Sequence, residues 1–378
     1  MISFQQVREL SFSVEGRGLY TIRDVARLAK VSTATVSFVS NGKERVSEPL
    51  KRRVMDAMEA LDYHPNQVAR SLQASRTHTI GMVIPQITNP FFAEIMRGVE
   101  DEASKCGYSV IFCNSNEDPE LERQRLNTLF ARRVDGVLLS SGNAPPLEGH
   151  LVKRRFPLVF IDRTPPGFSG TAVISDNLGA SREATRYLIN LGHTRIAIIT
   201  GPLDLPICTE RLEGFRRALQ EAGLPLPDEY LKCGDFRSES GYRNGCELMR
   251  VPNPPTAVFC CNNTMTLGLM RALGELNIPC PERVSVLGFD DFEWVASFRP
   301  QLTAVAQPTY EMGKLATEML VRKMQQKKGE AEDSKEQVIV LPNELRIRES
   351  TAPPYCSSPR QASAPPRKGH TPIAVGRQ

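Results

Sequence analysis

"TRIAIITGPLDLPICTERLEGFRRALQEAG", residues 194–223, pairs an apolar run of strand length, "TRIAIITG", with an amphipathic segment of helical spacing, "RLEGFRRALQEAG". The same alternation runs outward in both directions from Thr79 onward. Upstream stand "TIGMVIP", "YSVIFCNS", "VDGVLLSS" and "FPLVFID"; downstream stand "YLKCGD", "TAVFCCN" and "VSVLGFDD", with helical stretches such as "NPFFAEIMRGVEDEASKCG" between them. Strand–helix alternation at this spacing predicts an α/β fold of parallel sheets with helices on both faces. There are too many runs for one compact sheet of ordinary size, so two stacked α/β subdomains are expected. Ligands of such folds sit at the carboxyl ends of the strands.

A different rhythm precedes Thr79. Thr21 followed by Asp24 has the form of a capping box, and Ile22, Val25 and Ala29 recur at helical spacing. Ser32 reads as the N-cap of a second helix that Asn41-Gly42 stops. A third helix starts at Ser47, carries Pro49 in its first turn, and repeats Leu50, Val54, Met58 and Leu61 opposite Lys51, Arg52 and Arg53; His64-Pro65 ends it. Three short helices, the first two joined by a tight turn, predict a helix-turn-helix over 21–64. Residues 1–20 show no sustained period and read as a flexible extension. Residues 351–378, with Pro353-Pro354, Pro365-Pro366 and several serines, have a disordered composition.

Charge is placed unevenly. The chain of 378 residues has a formal net charge of +4. Residues 21–76 hold ten Lys/Arg against six Asp/Glu and residues 351–378 hold four against none, which leaves the long middle acidic. A basic segment on a mildly acidic body points to a polyanion partner for that segment alone. Nine cysteines without a C-x-x-C pair, with Cys260 and Cys261 adjacent, suit reduced thiols better than a zinc site or a disulfide framework. No apolar run reaches membrane-spanning length and no signal peptide opens the chain, so a cytoplasmic location without membrane contact is expected. The G-x-G-x-x-G, P-loop and G-x-S-x-G patterns are absent, and His64, His78, His150, His193 and His370 are dispersed, each expected at a turn or on the surface. Catalysis is not expected, and neither is a cofactor or a metal.

The motifs "TIRDVARLAKVSTATVSFVSNGKERVS", "YHPNQVARSLQ", "IPQITNPFFAEIMRGVEDEA", "RRVDGVLLSS", "YLINLGHTRIAIITG", "RLEGF" and "VSVLGFDD", in that order, resemble the LacI/GalR family of bacterial transcription regulators from about Thr21 to Ser350. The segments "VARSL", "GDFRSESGY" and "PTAVFC" are most similar to its purine-sensing and sugar-sensing branches. The resemblance implies a helix-turn-helix headpiece, a hinge helix and linker over 65–77, and a core like a periplasmic binding protein over 78–350. It implies a homodimer on a pseudo-palindromic operator in double-stranded DNA, under control of a small-molecule effector.

Residue by residue, the family pattern places Thr33, Ala34 and Phe38 at base-reading positions and Thr35, Ser37 and Asn41 facing the backbone, with Thr21 and Ser32 at the helix starts. Discrimination in the major groove comes from short side chains and from apolar contact with thymine methyls, so an uncharged reading helix flanked by basic residues is physically coherent. Relatives often carry a basic or amide residue where Phe38 stands, which implies a different operator. "NQVARSLQ", too short to be stable alone, resembles the hinge helix. There Leu72 is expected to wedge into the minor groove, with Arg70, Gln73 and Arg76 beside it. For the effector pocket the resemblance implies Phe92, Asp162, Arg163, Arg211, Phe236, Asn262, Asn263, Asp290 and Gln307. Aromatic faces would stack on a ring, Arg211 would offer a planar fork of donors, and Asp290 would accept two hydroxyl hydrogens. Leu205, Pro206 and Ile207 stand where a purine-sensing relative carries polar groups, which favours a sugar or sugar derivative. A purine or nucleoside effector is the alternative, and a plain solute-binding protein a further one.

Overall fold

A computed structural model describes residues 20–40, 46–63, 76–141, 156–165, 167–292, 297, 299–326 and 337–355. Asn41, Arg70, Leu72 and Gln73, with His64 and the expected hinge helix, lie outside the described residues.

The headpiece comprises α1 (Ile22–Leu28), α2 (Thr33–Ser40) and α3 (Glu48–Ala60). Asp24 accepts from the Thr21 backbone N–H at 2.9 Å and from its hydroxyl at 2.7 Å, which fixes the first turn of α1. The Ser32 hydroxyl accepts from the Thr35 N–H at 3.1 Å and caps α2. Val25, Val36, Val54, Ala57 and Leu61 close a small apolar core against which Tyr20 also packs. Arg53 is exposed but not idle: its guanidinium donates to the Ala29 and Lys30 carbonyls and ties α3 to the end of α1.

The larger part is built from two six-stranded sheets. One contains β1 (Thr79–Ile84), β2 (Ser109–Asn114), β3 (Gly136–Leu139), β4 (Leu158–Ile161), β5 (Ala172–Ser175) and β11 (Val338–Leu341), in the order β11-β5-β4-β3-β1-β2. The other contains β6 (Ile196–Thr200), β7 (Leu231–Cys233), β8 (Ala257–Cys260), β9 (Ser285–Phe289), β10 (Thr303–Ala306) and β12 (Glu344–Arg346), in the order β12-β10-β9-β8-β6-β7. Every pairing is parallel except β12 on β10, an antiparallel edge. Strands β6, β8 and β9 are buried at every residue, as strands covered on both faces must be.

The helices are α4 (Pro90–Lys105), α5 (Pro119–Ala131), α6 (Asn177–Asn190), α7 (Pro206–Glu221), α8 (Ser238–Leu248), α9 (Asn263–Glu275) and α10 (Thr309–Gln325). None of the described helices is long and apolar enough to cross a membrane. The chain passes between the two sheets three times. It leaves the first after β5 to begin α6, returns after β10 through α10, which packs on α4, and crosses again between β11 and β12. The α4–α10 crossing is close because glycines meet there: a Cβ on Gly98 would strike the Tyr310 carbonyl, and one on Gly313 the Ile95 carbonyl.

Two expectations need correction. Residues 351–355 are not the start of a disordered tail, because Ala352 exchanges hydrogen bonds with the Ser285 side chain and Thr351 bonds the Tyr187 hydroxyl. His193 stands at the turn that ends α6, as one of the two expected settings has it, but not at the surface: it is 1% exposed, bonded through Nδ1 to Thr256 and through Nε2 to the Ala352 carbonyl, and burial lowers its pKa.

Candidate functional site

The carboxyl ends of both sets of parallel strands converge on one cleft, and the loops that leave them carry the expected effector residues. Asp162 and Arg163 follow β4, Phe236 follows β7, Asn262 and Asn263 follow β8, Asp290 follows β9 and Gln307 follows β10. Phe92 and Arg211 stand in the early turns of α4 and α7. All but Gln307 are buried.

Arg211 forms the centre of one wall. Its Nε donates to Asn177 Oδ1 at 2.8 Å, one Nη donates to the Cys261 carbonyl at 2.7 Å, and its guanidinium lies 3.7 Å from the Phe289 ring centroid. Beside it Asp290 accepts from Gln307 Nε2 at 2.6 Å, and Gln307 in turn accepts from the Ser175 hydroxyl. That chain of bonds runs from the second sheet to the last residue of β5, across two of the three crossing segments. Asn263 spans the cleft directly, its amide donating to Asn89 Oδ1 at 2.7 Å. Asn262 also has a structural part: its Oδ1 accepts from the Thr264 and Met265 N–H groups and caps α9. Its carbonyl oxygen therefore serves the helix.

On the opposite wall Arg163 sits between two aromatic faces, 5.9 Å from the Phe92 centroid and 4.9 Å from that of Phe236. Glu117 pairs with it at 2.8 Å and Asp162 at 3.5 Å. Burial raises the Asp162 carboxyl to about 6, against the pull of Arg163 and Arg211; Asp290 and Glu117 add repulsion. Burial also raises Asp290, opposed by Arg211 and by the bond from Gln307. The same burial pushes the nearby thiols of Cys208 and Cys260 up to about 11 and about 12, and Cys261 well above the usual range. Such thiols stay protonated and do not act as nucleophiles.

Backbone strain marks the same loops. Asp162, Phe236 and Asp290 have φ of 66°, 63° and 75°, and Asn116 and Glu117 have 53° and 59°. A non-glycine residue held in this region costs of order 1–3 kcal/mol and persists where its surroundings dictate it, which is common at binding sites. Sequence reasoning missed Asn89, Glu117, Ser175 and Asn177. Their signal was position: each is a polar residue at the carboxyl end of a strand or in the loop that follows it.

In the headpiece, Thr33, Ala34 and Phe38 lie on the exposed side of α2, opposite buried Val36, with Thr35 and Ser37 half-buried. Phe38 is 40% exposed, which takes it out of the core. Thr21 and Ser32 use their side-chain oxygens as described above, within the helix ends.

A family model described as "Bacterial regulatory proteins, lacI family" matches residues 21–66, and one described as "Periplasmic binding protein-like domain" matches residues 185–351. The ribose operon repressor of Escherichia coli (strain K12) is 42% identical over 310 residues, which cover 81% of this chain and 93% of that one. The chain belongs to the LacI family. Another LacI-family relative, the HTH-type transcriptional repressor PurR of Vibrio cholerae, is 39% identical over 315 residues, 82% of this chain and 93% of its own. Among solved LacI-family structures, the lac repressor dimer bound to operator and the anti-inducer ONPF matches with a TM-score of 0.77 at 27% identity, over 88% of this chain and 99% of that one. The transcriptional regulator CelR–cellobiose complex matches with a TM-score of 0.65 at 34% identity, over 88% and 99%. The mixed α/β architecture with a helix-turn-helix and a periplasmic-binding-protein-like core is that of the LacI family.

Proposed function

We propose that this LacI-family protein is a homodimeric repressor that binds a pseudo-palindromic operator through residues 21–64 and a hinge over 65–77. Its operator affinity is set by a neutral sugar of the pentose class held in the cleft of the core over 78–350. The observation that carries the reading is the convergence of Arg163, Arg211, Asp162, Asp290 and two aromatic rings between the strand ends, wired through Gln307 and Ser175 to the crossing segments. Polar groups of both signs beside aromatic faces suit a ring that carries hydroxyls. The likeness to a ribose operon repressor supports the choice of sugar. Leu205 and Ile207 are buried and apolar, which removes the polar partners a purine edge needs. The cleft's thiols are protonated, and the reading assigns the chain no catalysis and a place in the cytoplasm with its DNA.

Ligand in the cleft changes the relation of the two sheets through the crossing segments, and thereby the placement of the hinges on DNA. Calorimetric titration of the full chain with D-ribose and with hypoxanthine tests the reading. Ribose is expected to bind and hypoxanthine not. Asp290→Ala is expected to weaken ribose by roughly 100-fold through lost charged hydrogen bonds, with the melting curve still cooperative. Unaltered ribose binding by that variant would place the pocket elsewhere.

A further inference from the structure

Glu117 has no part in the set of effector residues read from the sequence, yet it pairs with one of them, Arg163, in the cleft wall. Glu117 reaches it from the loop between β2 and α5, pinned by its own N–H to the Pro85 carbonyl at 3.1 Å and held at positive φ. Its Oε2 meets one Nη of Arg163 at 2.8 Å, and the Arg163 side chain is only 6% exposed. The same guanidinium stacks on Phe236 from the other sheet, so its placement bears on how the two walls meet. Glu117 Oε1 and Arg163 Nε are buried without a hydrogen-bond partner among the described residues.

We propose that Glu117 is a positioning residue that neutralises Arg163 and so makes the cleft select an uncharged sugar over its phosphorylated form. The inference rests on the sugar-effector reading above and deepens it. Two arginines and three carboxylates, Glu117, Asp162 and Asp290, share this site. With Glu117 present, Arg163 has its counter-charge already, and an incoming phosphate meets three carboxylates. Without it, Arg163 is a planar fork of donors left with only the longer, 3.5 Å contact to Asp162, and such a fork is how proteins hold phosphate. The orphan atoms agree: one is a donor and the other an acceptor. A hydroxyl both donates and accepts, whereas a phosphate dianion only accepts and leaves the carboxylate oxygen unsatisfied.

Titration of the full-length protein with D-ribose and with D-ribose 5-phosphate, for wild type, Glu117→Gln and Glu117→Asp, tests this. Wild type is expected to prefer ribose. Glu117→Gln is expected to shrink that preference by about tenfold or more, as loss of one nearby charge implies. Glu117→Asp, which keeps the charge, is expected to retain most of it. An unchanged preference in Glu117→Gln overturns the proposal, as does an equal loss in Glu117→Asp, which would make the role one of packing alone. Wild type that prefers the phosphate overturns the proposal while leaving a sugar effector in place. Wild type that binds neither overturns the effector reading and this inference with it.

Discussion

Asp162 is the residue whose environment departs most from what its neighbours in sequence suggest. It is 3% exposed and its carboxyl is raised to about 6 by burial. The folded chain therefore holds this proton more tightly than the unfolded chain does. The stability contributed by that proton is complete below about pH 4 and is lost as pH rises through 6. At pH 7 the ligand-free protein thus carries a cost of about 3 kcal/mol from this group. Asp162→Asn should be more stable than wild type at pH 7, and the difference should vanish near pH 4; denaturant unfolding at the two pH values checks it. A variant that is less stable at both would contradict burial as the dominant cause. Phe38 makes the second residue-scale prediction. Its ring is exposed on α2 and, at the base-reading position proposed for it, should favour thymine methyls. Selection of binding sites from random DNA should show a base preference that moves in Phe38→Arg, and an unmoved preference would take Phe38 out of the interface.

At the scale of elements, the long periodic segments could be read directly. All eight apolar runs became strands, and the caps at Thr21 and Ser32 start the first two headpiece helices where expected. What escaped were β5, β10, β11 and β12, short strands of three or four residues. Two of them are sheet edges that exist because of distant partners: β11 pairs with β5 and β12 with β10. The cleft was legible for a similar reason and to a similar extent. Residues inside recognisable motifs, such as Asp162, Arg211 and Asp290, come together as the family pattern implies. Glu117 and Asn89 gain their partners only through folding, Arg163 lying 46 positions away and Asn263 lying 174 away. The close α4–α10 crossing belongs to this scale too. Gly98→Ala forces a Cβ against the Tyr310 carbonyl and should destabilise the core by about 1–3 kcal/mol, measured by thermal or denaturant unfolding. A neutral effect would show that the two helices separate freely.

The whole molecule couples two tasks that use different chemistry. The headpiece has its own apolar core around Val36 and Val54, and the cleft belongs to the sheets. Removal of residues 1–77 should abolish operator binding and leave dimerisation and sugar binding intact. Specific DNA binding by the truncated protein would refute the headpiece assignment. In the proposed mechanism, communication between the tasks runs through the three crossings, two of which are bonded to each other through Gln307 and Ser175. Gln307→Ala should then reduce the response of operator affinity to sugar more than it reduces sugar binding itself. The central claim is reciprocal linkage, in which sugar and operator change each other's affinity by one common factor. The most direct measurement is operator affinity with and without saturating ribose, paired with ribose affinity with and without saturating operator, at one salt concentration. Linked sites give two ratios that are equal and differ from one; an operator affinity unchanged by saturating ribose would refute the linkage.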